Sequence, residues 1–222
     1  MPSSAIAPPA SRASRRRPTQ ARSVVTVHAI FEACIQVLLK DGVQRLTTTR
    51  VAERAGVSVG TLYQYYPHKQ ALLHAVLERH LDGIVVSVGE AAGNAHGQPL
   101  ACMVDAVVRS FVQAKTQRPD EARALYVVAA ELGCADLVRQ AAARGGEALA
   151  AMLATAADAR FNDLPVAAYM FAAAMTGTTK GILEGQAPAG LMPMLHRQLV
   201  SLCLGYLERE ARAAAVPAPE AG

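Results

Sequence analysis

The stretch Thr47–Lys69, with the sequence TTTRVAERAGVSVGTLYQYYPHK, decides the fold. Ala52 and Gly56 are four residues apart, which is typical of two short helices that cross closely at a tight turn. Alanine lets the two backbones approach, and glycine takes the positive φ of such a turn at little cost. Ser58 follows where its hydroxyl can cap the second helix, and Pro67 breaks the chain beyond that helix. The stretch therefore predicts a helix-turn-helix.

The second helix of this motif carries side chains that are suited to reading a DNA duplex. Gln64 can form a bidentate pair with adenine, and Thr61 can bond a base edge or touch a thymine methyl. Gly60 allows close approach of the backbone, and tyrosine hydroxyls often hold phosphates. We expect the outward residues to be Val59, Gly60, Thr61, Tyr63, Gln64 and Tyr65. We expect Tyr66 to pack inward beside Leu62, and double-stranded DNA to be the partner.

The spacing of these residues resembles the N-terminal motif of the TetR family of transcriptional regulators. The segments that match in register are Ala55–Ser58, Gly60–Tyr63, Tyr65–Tyr66 and Lys69, within a similarity that runs from about Val24 to Leu81. The resemblance implies an all-α fold of about nine helices. It also implies an N-terminal three-helix DNA-binding domain and a larger helical C-terminal domain for dimerisation and ligand sensing.

The resemblance further implies roles by position. Thr48 and Thr49 open the first short helix near the DNA backbone and groove edge, and Lys69 contacts a phosphate. Val59 departs from the pattern, because many members carry Lys or Arg there, so a phosphate or guanine contact is missing. The complete set of expected DNA-binding residues is Thr48, Thr49, Ser58, Val59, Gly60, Thr61, Tyr63, Gln64, Tyr65 and Lys69.

Composition and helix signals divide the chain into five parts. Apolar residues recur at helical spacing from about Val24 to Lys40, and Asp41-Gly42 ends that run. The Gly- and Asn-rich stretch 93–99 is the clearest loop in the sequence. We predict a disordered arm (1–22), the helix-turn-helix domain (23–68), a connecting helix (69–92), the sensing and dimerisation domain (93–213) and a loose tail (214–222). The later helices are predicted at Leu100–Thr116, Glu121–Leu132, Ala135–Ala157, Pro165–Glu184 and Leu191–Arg212.

The charge distribution favours an anionic partner at the N-terminal end. The net charge of the 222 residues is +4, and residues 1–92 hold eleven Lys and Arg against six Asp and Glu. The arginines expected in the arm are Arg12, Arg15, Arg16, Arg17 and Arg22. They either follow phosphates and a minor groove or form a solvated tail.

The sequence favours a cytoplasmic protein that is not an enzyme and binds neither a membrane nor a cofactor. Its four cysteines are widely spaced, and no phosphate loop, nucleophile motif or cluster of metal-binding spacing is present. The least polar stretch, Leu164 to Thr179, is shorter than the roughly 20 residues that span a bilayer.

The last two predicted helices are suited to pairing with a second copy of the chain. No side chain from Pro165 to Thr179 is charged, so that helix must be covered on most sides. The stripe expected at the dimer interface is Leu191, Leu195, Leu199, Leu202 and Tyr206. The alternative is that this stripe only closes the core of a single chain.

The middle helices are expected to enclose a pocket for a small apolar or cationic effector. The candidates for its lining are Met103, Val107, Phe111, Tyr126, Glu131, Met152, Tyr169 and Phe171. Glu131 is included because its neighbours along the chain are uncharged, although it could equally pair with a basic residue on another helix. The implied function is a ligand-inducible repressor that binds a palindromic operator as a homodimer. The alternative is a DNA-bound protein that acts through a protein partner and senses no small molecule.

Overall fold

The computed structural model describes the backbone of residues 17–215 and the side chains of residues 23–211. Within these limits the chain is all-α, with nine α-helices, one short 3-10 helix and no strand, which confirms the predicted fold class. The helices are α1 (Arg17–Arg45), α2 (Thr48–Ala55), α3 (Val59–Tyr65), α4 (Lys69–Asn94), α5 (Leu100–Thr116), α6 (Pro119–Glu131), α7 (Ala135–Leu153), α8 (Leu164–Leu183) and α9 (Leu195–Ala215).

The first helix begins earlier than the sequence predicted. Residues 17–22 are helical, whereas we expected the whole segment 1–22 to lack structure. The expected arm arginines Arg12, Arg15 and Arg16 lie outside the described residues, as do the side chains of Arg17 and Arg22. At the other end, α9 continues to Ala215, and the remainder of the predicted tail also lies outside them.

Gly42 interrupts α1 where the sequence predicted its end. The glycine has φ 76° and ψ 169°, a conformation outside the helical region, and one more helical turn follows it up to Arg45. A side chain at this φ would be strained, so glycine suits the position. The bend separates the long apolar run of α1 from the short segment that leads into α2.

The described chain divides between Leu72 and Leu73 into two compact units. In the N-terminal unit, α1 packs against α2, and α2 packs against α3. The buried apolar side chains that hold these helices together are Ile30, Phe31, Cys34, Ile35, Leu38, Leu46, Val51, Ala52 and Leu62. By length and apolar composition alone, Ser23–Arg45 could cross a membrane, but its buried side chains form this core.

The C-terminal unit is a helical bundle in which α8 packs against α7 and α9, and α5 packs against α9. Its largest buried side chains include Met103, Met152 and Phe171. Asp163 begins α8 by accepting a hydrogen bond from the Val166 N–H at 3.0 Å, as expected of a capping acid before a proline. The predicted last helix begins later than expected, because Met192–Met194 form a 3-10 turn around Pro193 before α9.

Candidate nucleic-acid interface and ligand cavity

The turn between α2 and α3 has the geometry that the sequence predicted. Gly56 has φ 68° and ψ 28°, the left-handed conformation that glycine adopts without steric cost. The N–H of Val57 donates to the carbonyl of Ala52 at 3.0 Å. Ala52 is completely buried at the crossing of the two helices. The direction of α3 therefore follows from the backbone of the turn itself.

Ser58 caps the first turn of α3. Its Oγ accepts a hydrogen bond from the Thr61 N–H at 3.0 Å, and the two hydroxyl oxygens are 2.8 Å apart. Both side chains lie at the surface or partly at the surface. The Ser58 hydroxyl thus has a structural role in starting the helix, and the Thr61 hydroxyl is held in a defined direction.

The outer face of α3 is uncharged and accessible. Gly60 and Gln64 are exposed, Tyr63 is 48% exposed, and no residue of α3 carries a charge. A Cβ added at Gly60 would lie 3.8 Å from the Ser58 Oγ, which is an ordinary van der Waals contact. A neutral face with amide, hydroxyl and phenol groups can exchange hydrogen bonds with base edges.

Two of the expected contact residues also join α2 to α3. The hydroxyl oxygens of Tyr63 and Thr48 are 3.1 Å apart, and Thr48 is nearly buried. Thr49 is exposed beside it, and Val59 is partly exposed. The interaction holds the phenol of Tyr63 over the start of α2, so any group that reaches the Tyr63 hydroxyl also lies near the first turn of α2.

Tyr65 and Lys69 form hydrogen bonds within the N-terminal unit. The Tyr65 hydroxyl donates to the Ser23 Oγ at 3.2 Å, and the Lys69 ammonium donates to the Val43 carbonyl at 2.5 Å. Each side chain is partly exposed. Tyr66 lies with its ring centroid 5.7 Å from that of Phe31, a buried residue of α1. Tyr66 is partly buried and packs against the first helix, whereas its predicted packing beside Leu62 stays a prediction.

The second candidate site is a cavity in the C-terminal unit, here called the α4–α8 cavity, which is lined by side chains from five helices. The empty space within its lining, including the open mouth, is about 870 Å³. The apolar part of the lining comprises Leu77, Leu81, Ile84, Val85, Val88, Phe111, Ala122, Leu125, Ala129, Val138, Ala141, Ala142, Gly145, Leu149, Ala172 and Met175. The polar part comprises His80, Lys115, Tyr126 and Thr176.

Two of the eight residues predicted for the pocket line this cavity. Phe111 and Tyr126 do so. Four others are buried in the helical core and are absent from the lining: Met103, Val107, Met152 and Phe171. Tyr169 is 69% exposed on α8, and Glu131 is exposed at the end of α6. The prediction was wrong for these six residues: four are enclosed by their neighbours in the core, and Tyr169 and Glu131 lie at the surface of the C-terminal unit.

The sequence analysis did not predict the buried lysine of the cavity, Lys115. Lys115 lies on α5 and is 6% exposed. Its ammonium is 3.1 Å from the Tyr126 hydroxyl and 4.9 Å from the centroid of that ring. Burial lowers the pKa of Lys115 from the ordinary 10.5 to about 8, and burial, with a smaller effect of Glu184, raises the pKa of Tyr126 to about 12.

The stripe predicted for a dimer interface divides between two environments. Leu195 and Leu199 are buried in the core of the single chain, together with Cys203 and Leu207. These two leucines have no surface left for a partner, so that part of the prediction was wrong. Leu202 is 54% exposed, whereas Leu191 and Tyr206 are partly buried. The exposed large apolar residues of α8 and α9 are Val166, Tyr169, Met170 and Leu202.

The fold and the helix-turn-helix are typical of DNA-binding transcriptional regulators. Residues 30–76 match the family model for bacterial regulatory proteins of the tetR family, and residues 99–207 match the tetracyclin repressor-like C-terminal domain. The chain belongs to the TetR family.

Similar proteins of known name share parts of the sequence or the fold. Nucleoid occlusion factor SlmA of Actinobacillus pleuropneumoniae (serotype 5b, strain L20) is 45% identical over 51 residues, 22% of this chain and 25% of SlmA. The transcriptional repressor KstR of Mycolicibacterium smegmatis is 37% identical over 84 residues, 37% of this chain and 41% of KstR. The matches thus span less than half the length of these curated relatives. The structure of the fatty acid degradation regulator FadR from Bacillus halodurans has a TM-score of 0.65 at 16% identity, over 81% of this chain and 94% of that one, which shows the fold alone.

The buried lysine predicts a specific dependence of stability on pH. Between about pH 8 and pH 10, the folded chain has released the Lys115 proton that the unfolded chain still binds, because the folded-state pKa is the lower one. The free energy of unfolding therefore rises with pH in this window, by up to about 3 kcal/mol. We expect urea denaturation to show this rise relative to the Lys115→Met variant, which lacks the titrating group.

The comparison with Lys115→Met removes the contributions that both proteins share. Above pH 10, the raised pKa of Tyr126 acts in the opposite direction, since the unfolded tyrosine ionises first, so the test stays below that pH. A difference between the two proteins that stays constant from pH 7 to pH 10 would show that the Lys115 ammonium is not buried.

Proposed function

We propose that this chain is a ligand-inducible repressor that binds a palindromic operator as a homodimer in the cytoplasm. The observation that carries the proposal is the neutral, accessible face of α3, held by a left-handed turn at Gly56 and a serine cap at Ser58. A single short helix contacts only a few base pairs, so two copies related by symmetry are needed for a specific site. The α4–α8 cavity supports a second, regulatory function.

The residues of α3 and α2 divide into those that read bases and those that hold position. We assign base reading to Gln64 and Thr61, with Gly60 allowing the backbone to approach. We assign phosphate contacts, which carry no sequence information, to Thr49 and to the hydroxyl of Tyr63. Thr48, Ser58 and Tyr65 hold this surface in place through their hydrogen bonds within the N-terminal unit. Val59 contributes apolar surface, and Lys69 is assigned to a phosphate.

Lys69 forms a hydrogen bond within the N-terminal unit and can still contact DNA. Its ammonium donates to the Val43 carbonyl and has two further N–H groups. It can therefore bind a phosphate without leaving the carbonyl. Because α3 itself is uncharged, the attraction to phosphates must come from cations outside this helix.

The exposed apolar residues of α8 and α9 support a paired assembly. Tyr169 and Leu202 are each more than half exposed, and Val166 and Met170 are also accessible on α8. Three of these residues lie on α8 and one on α9, which pack against each other. Exposed apolar side chains on neighbouring helices suit a surface that a second copy covers. We propose that these four residues replace Leu195 and Leu199 as the centre of the dimer interface.

The α4–α8 cavity favours a repressor that senses a small molecule over one that acts only through a protein partner. An apolar cavity with a few polar groups is the usual form of a small-molecule site. Leu77, His80 and Ile84 of α4 line it, and the same helix begins at Lys69, directly after the helix-turn-helix. A ligand that binds one position of α4 better than another therefore shifts the population between DNA-binding and released forms.

We expect two substitutions on α3 to separate base reading from backbone approach. Gln64→Ala should weaken binding to the preferred duplex roughly tenfold and relax the base preference at one position of each half-site. Gly60→Ala should weaken binding to all duplexes, because the added methyl holds α3 away from the groove. Fluorescence anisotropy with labelled duplexes measures both effects.

The two variants require controls for folding and for general loss of affinity. Both should melt at or near the wild-type temperature, since Gln64 is exposed and the Gly60 position has room for a methyl group. Gln140→Ala, an exposed glutamine on α7, should leave DNA binding unchanged. If Gln64→Ala binds the same sequences with unchanged affinity, α3 does not read bases through this residue.

The dimer surface is tested by placing a charge in it. Leu202→Glu should convert a dimer at micromolar concentration into a monomer, because a buried unpaired carboxylate at an interface costs several kcal/mol. Val127→Glu is the matched control, since Val127 is 47% exposed and lies on α6, which contributes no residue to the proposed interface. Sedimentation velocity distinguishes the two states. A wild-type monomer, or a Leu202→Glu variant that remains dimeric, would contradict the assignment.

A further inference from the structure

The polar groups of the α4–α8 cavity include no carboxylate. Among the described residues, its polar lining consists of His80, Lys115, Tyr126 and Thr176, and every other lining residue is apolar or glycine. Lys115, which is 6% exposed, is the member that brings an ammonium group into the cavity. The cavity therefore combines an apolar wall with a positive charge, which disfavours the cationic effector expected from the sequence.

The Lys115 ammonium has more N–H donors than hydrogen-bond partners among the described residues. Of its three N–H groups, one is directed to the Tyr126 hydroxyl at 3.1 Å. Within the described side chains, residues 23–211, no carboxylate lies within 4.0 Å of the Lys115 Nζ. An ammonium that is buried with one neutral hydrogen-bond partner is costly, and an incoming anion would offset that cost.

Tyr126 supplies a second donor beside the first. Its hydroxyl oxygen accepts the hydrogen bond from Lys115, so its own hydrogen is free to point toward a ligand. Lys115 and Tyr126 both line the cavity. Together they present an ammonium and a phenol within about one hydrogen-bond length of each other, which suits the two oxygens of a carboxylate.

The other titratable groups around the cavity lie beside carboxylates. His80 Nδ1 is 3.7 Å from the Glu121 carboxylate, which also lies 2.7 Å from Arg118. Lys180 is 2.8 Å from Glu184 and is half exposed. Lys115 thus differs from its neighbours, because its charge is both buried and without a carboxylate beside it.

We propose that the effector is an amphipathic carboxylic acid whose carboxylate binds Lys115 and Tyr126 and whose apolar body lies against α4, α6 and α7. The inference rests on the proposed function only in taking the α4–α8 cavity as the effector site. Charge-assisted hydrogen bonds hold the head group, and burial of the hydrocarbon among residues such as Leu81 and Leu125 supplies the remaining affinity.

Isothermal titration with matched straight-chain compounds tests the proposal directly. The probes are the carboxylates from hexanoate to dodecanoate, each with the primary alcohol and primary amine of the same length. At the best chain length, the carboxylate should bind the wild-type dimer roughly tenfold or more tightly than the alcohol, as a charge-assisted hydrogen bond provides. The amine should bind more weakly than the alcohol, because its charge repels Lys115.

Substitutions of two lysines test which residue causes the preference for the carboxylate over the alcohol. Lys115→Met keeps the length and apolar character of the side chain, so the alcohol should still bind while the advantage of the carboxylate disappears. Lys180→Met removes a cation that lies 6.0 Å from the same Tyr126 ring but outside the lining, and it should keep the full carboxylate preference. Tyr126→Phe should reduce the preference without abolishing it.

The proposal is overturned if no carboxylate binds better than its alcohol at any chain length. It is also overturned if the preference survives in Lys115→Met. Binding of duplex DNA by the wild-type protein, measured without any acid, reports separately on the proposed function. Specific DNA binding together with no carboxylate preference would refute this inference alone, whereas absence of DNA binding would refute the repressor.

Discussion

The left-handed turn at Gly56 is the constraint on which the proposed DNA-binding surface depends. Its positive φ sends the chain from the end of α2 into the start of α3 within three residues. Ala52 can then lie fully buried at the helix crossing, and Ser58 can cap α3. Because the turn is short and hydrogen-bonded, α3 has little freedom to change direction. The outer face of that helix is therefore presented as a rigid surface, which base recognition requires.

A second constraint governs the C-terminal unit, where one ammonium is enclosed by an otherwise apolar bundle. The interior of α5 to α8 is built from alanine, leucine, valine, methionine and phenylalanine, and lysine is rarely buried in such a core. Lys115 is stabilised in part by the ring and hydroxyl of Tyr126. The proposed carboxylate would give this ammonium a partner of opposite charge and would thereby stabilise the folded chain.

The sequence was most informative where local chemistry determines structure. The cap at Ser58, the turn at Gly56 and the bounds of α5 follow from short-range rules on helix starts and stops, and the structure has all three. The sequence was least informative where several helices converge. Because α8 is apolar nearly all round, its periodicity could not show that Phe171 faces inward and Tyr169 faces outward.

The lysine in the cavity could have been found by a closer use of helical spacing. Met103, Val107 and Phe111 follow one another at intervals of four residues along the buried face of α5, and Lys115 is the next position on that face. A charge in register with an apolar stripe indicates a buried charge. The sequence also indicated the leucine stripe of α9. In the structure, Leu195 and Leu199 of this stripe cover the core of their own chain, because α9 packs against α5 and α8. The sequence alone does not contain this information.

Selection of bound duplexes from a random pool is the most direct test of the central claim, that two copies of α3 occupy successive turns of one groove. We predict an enriched inverted repeat whose half-site centres are about 34 Å apart, or a multiple of that distance. A pool that stays random after repeated selection at low salt, or an enriched site without two-fold symmetry, would contradict a symmetric pair of α3 helices reading DNA.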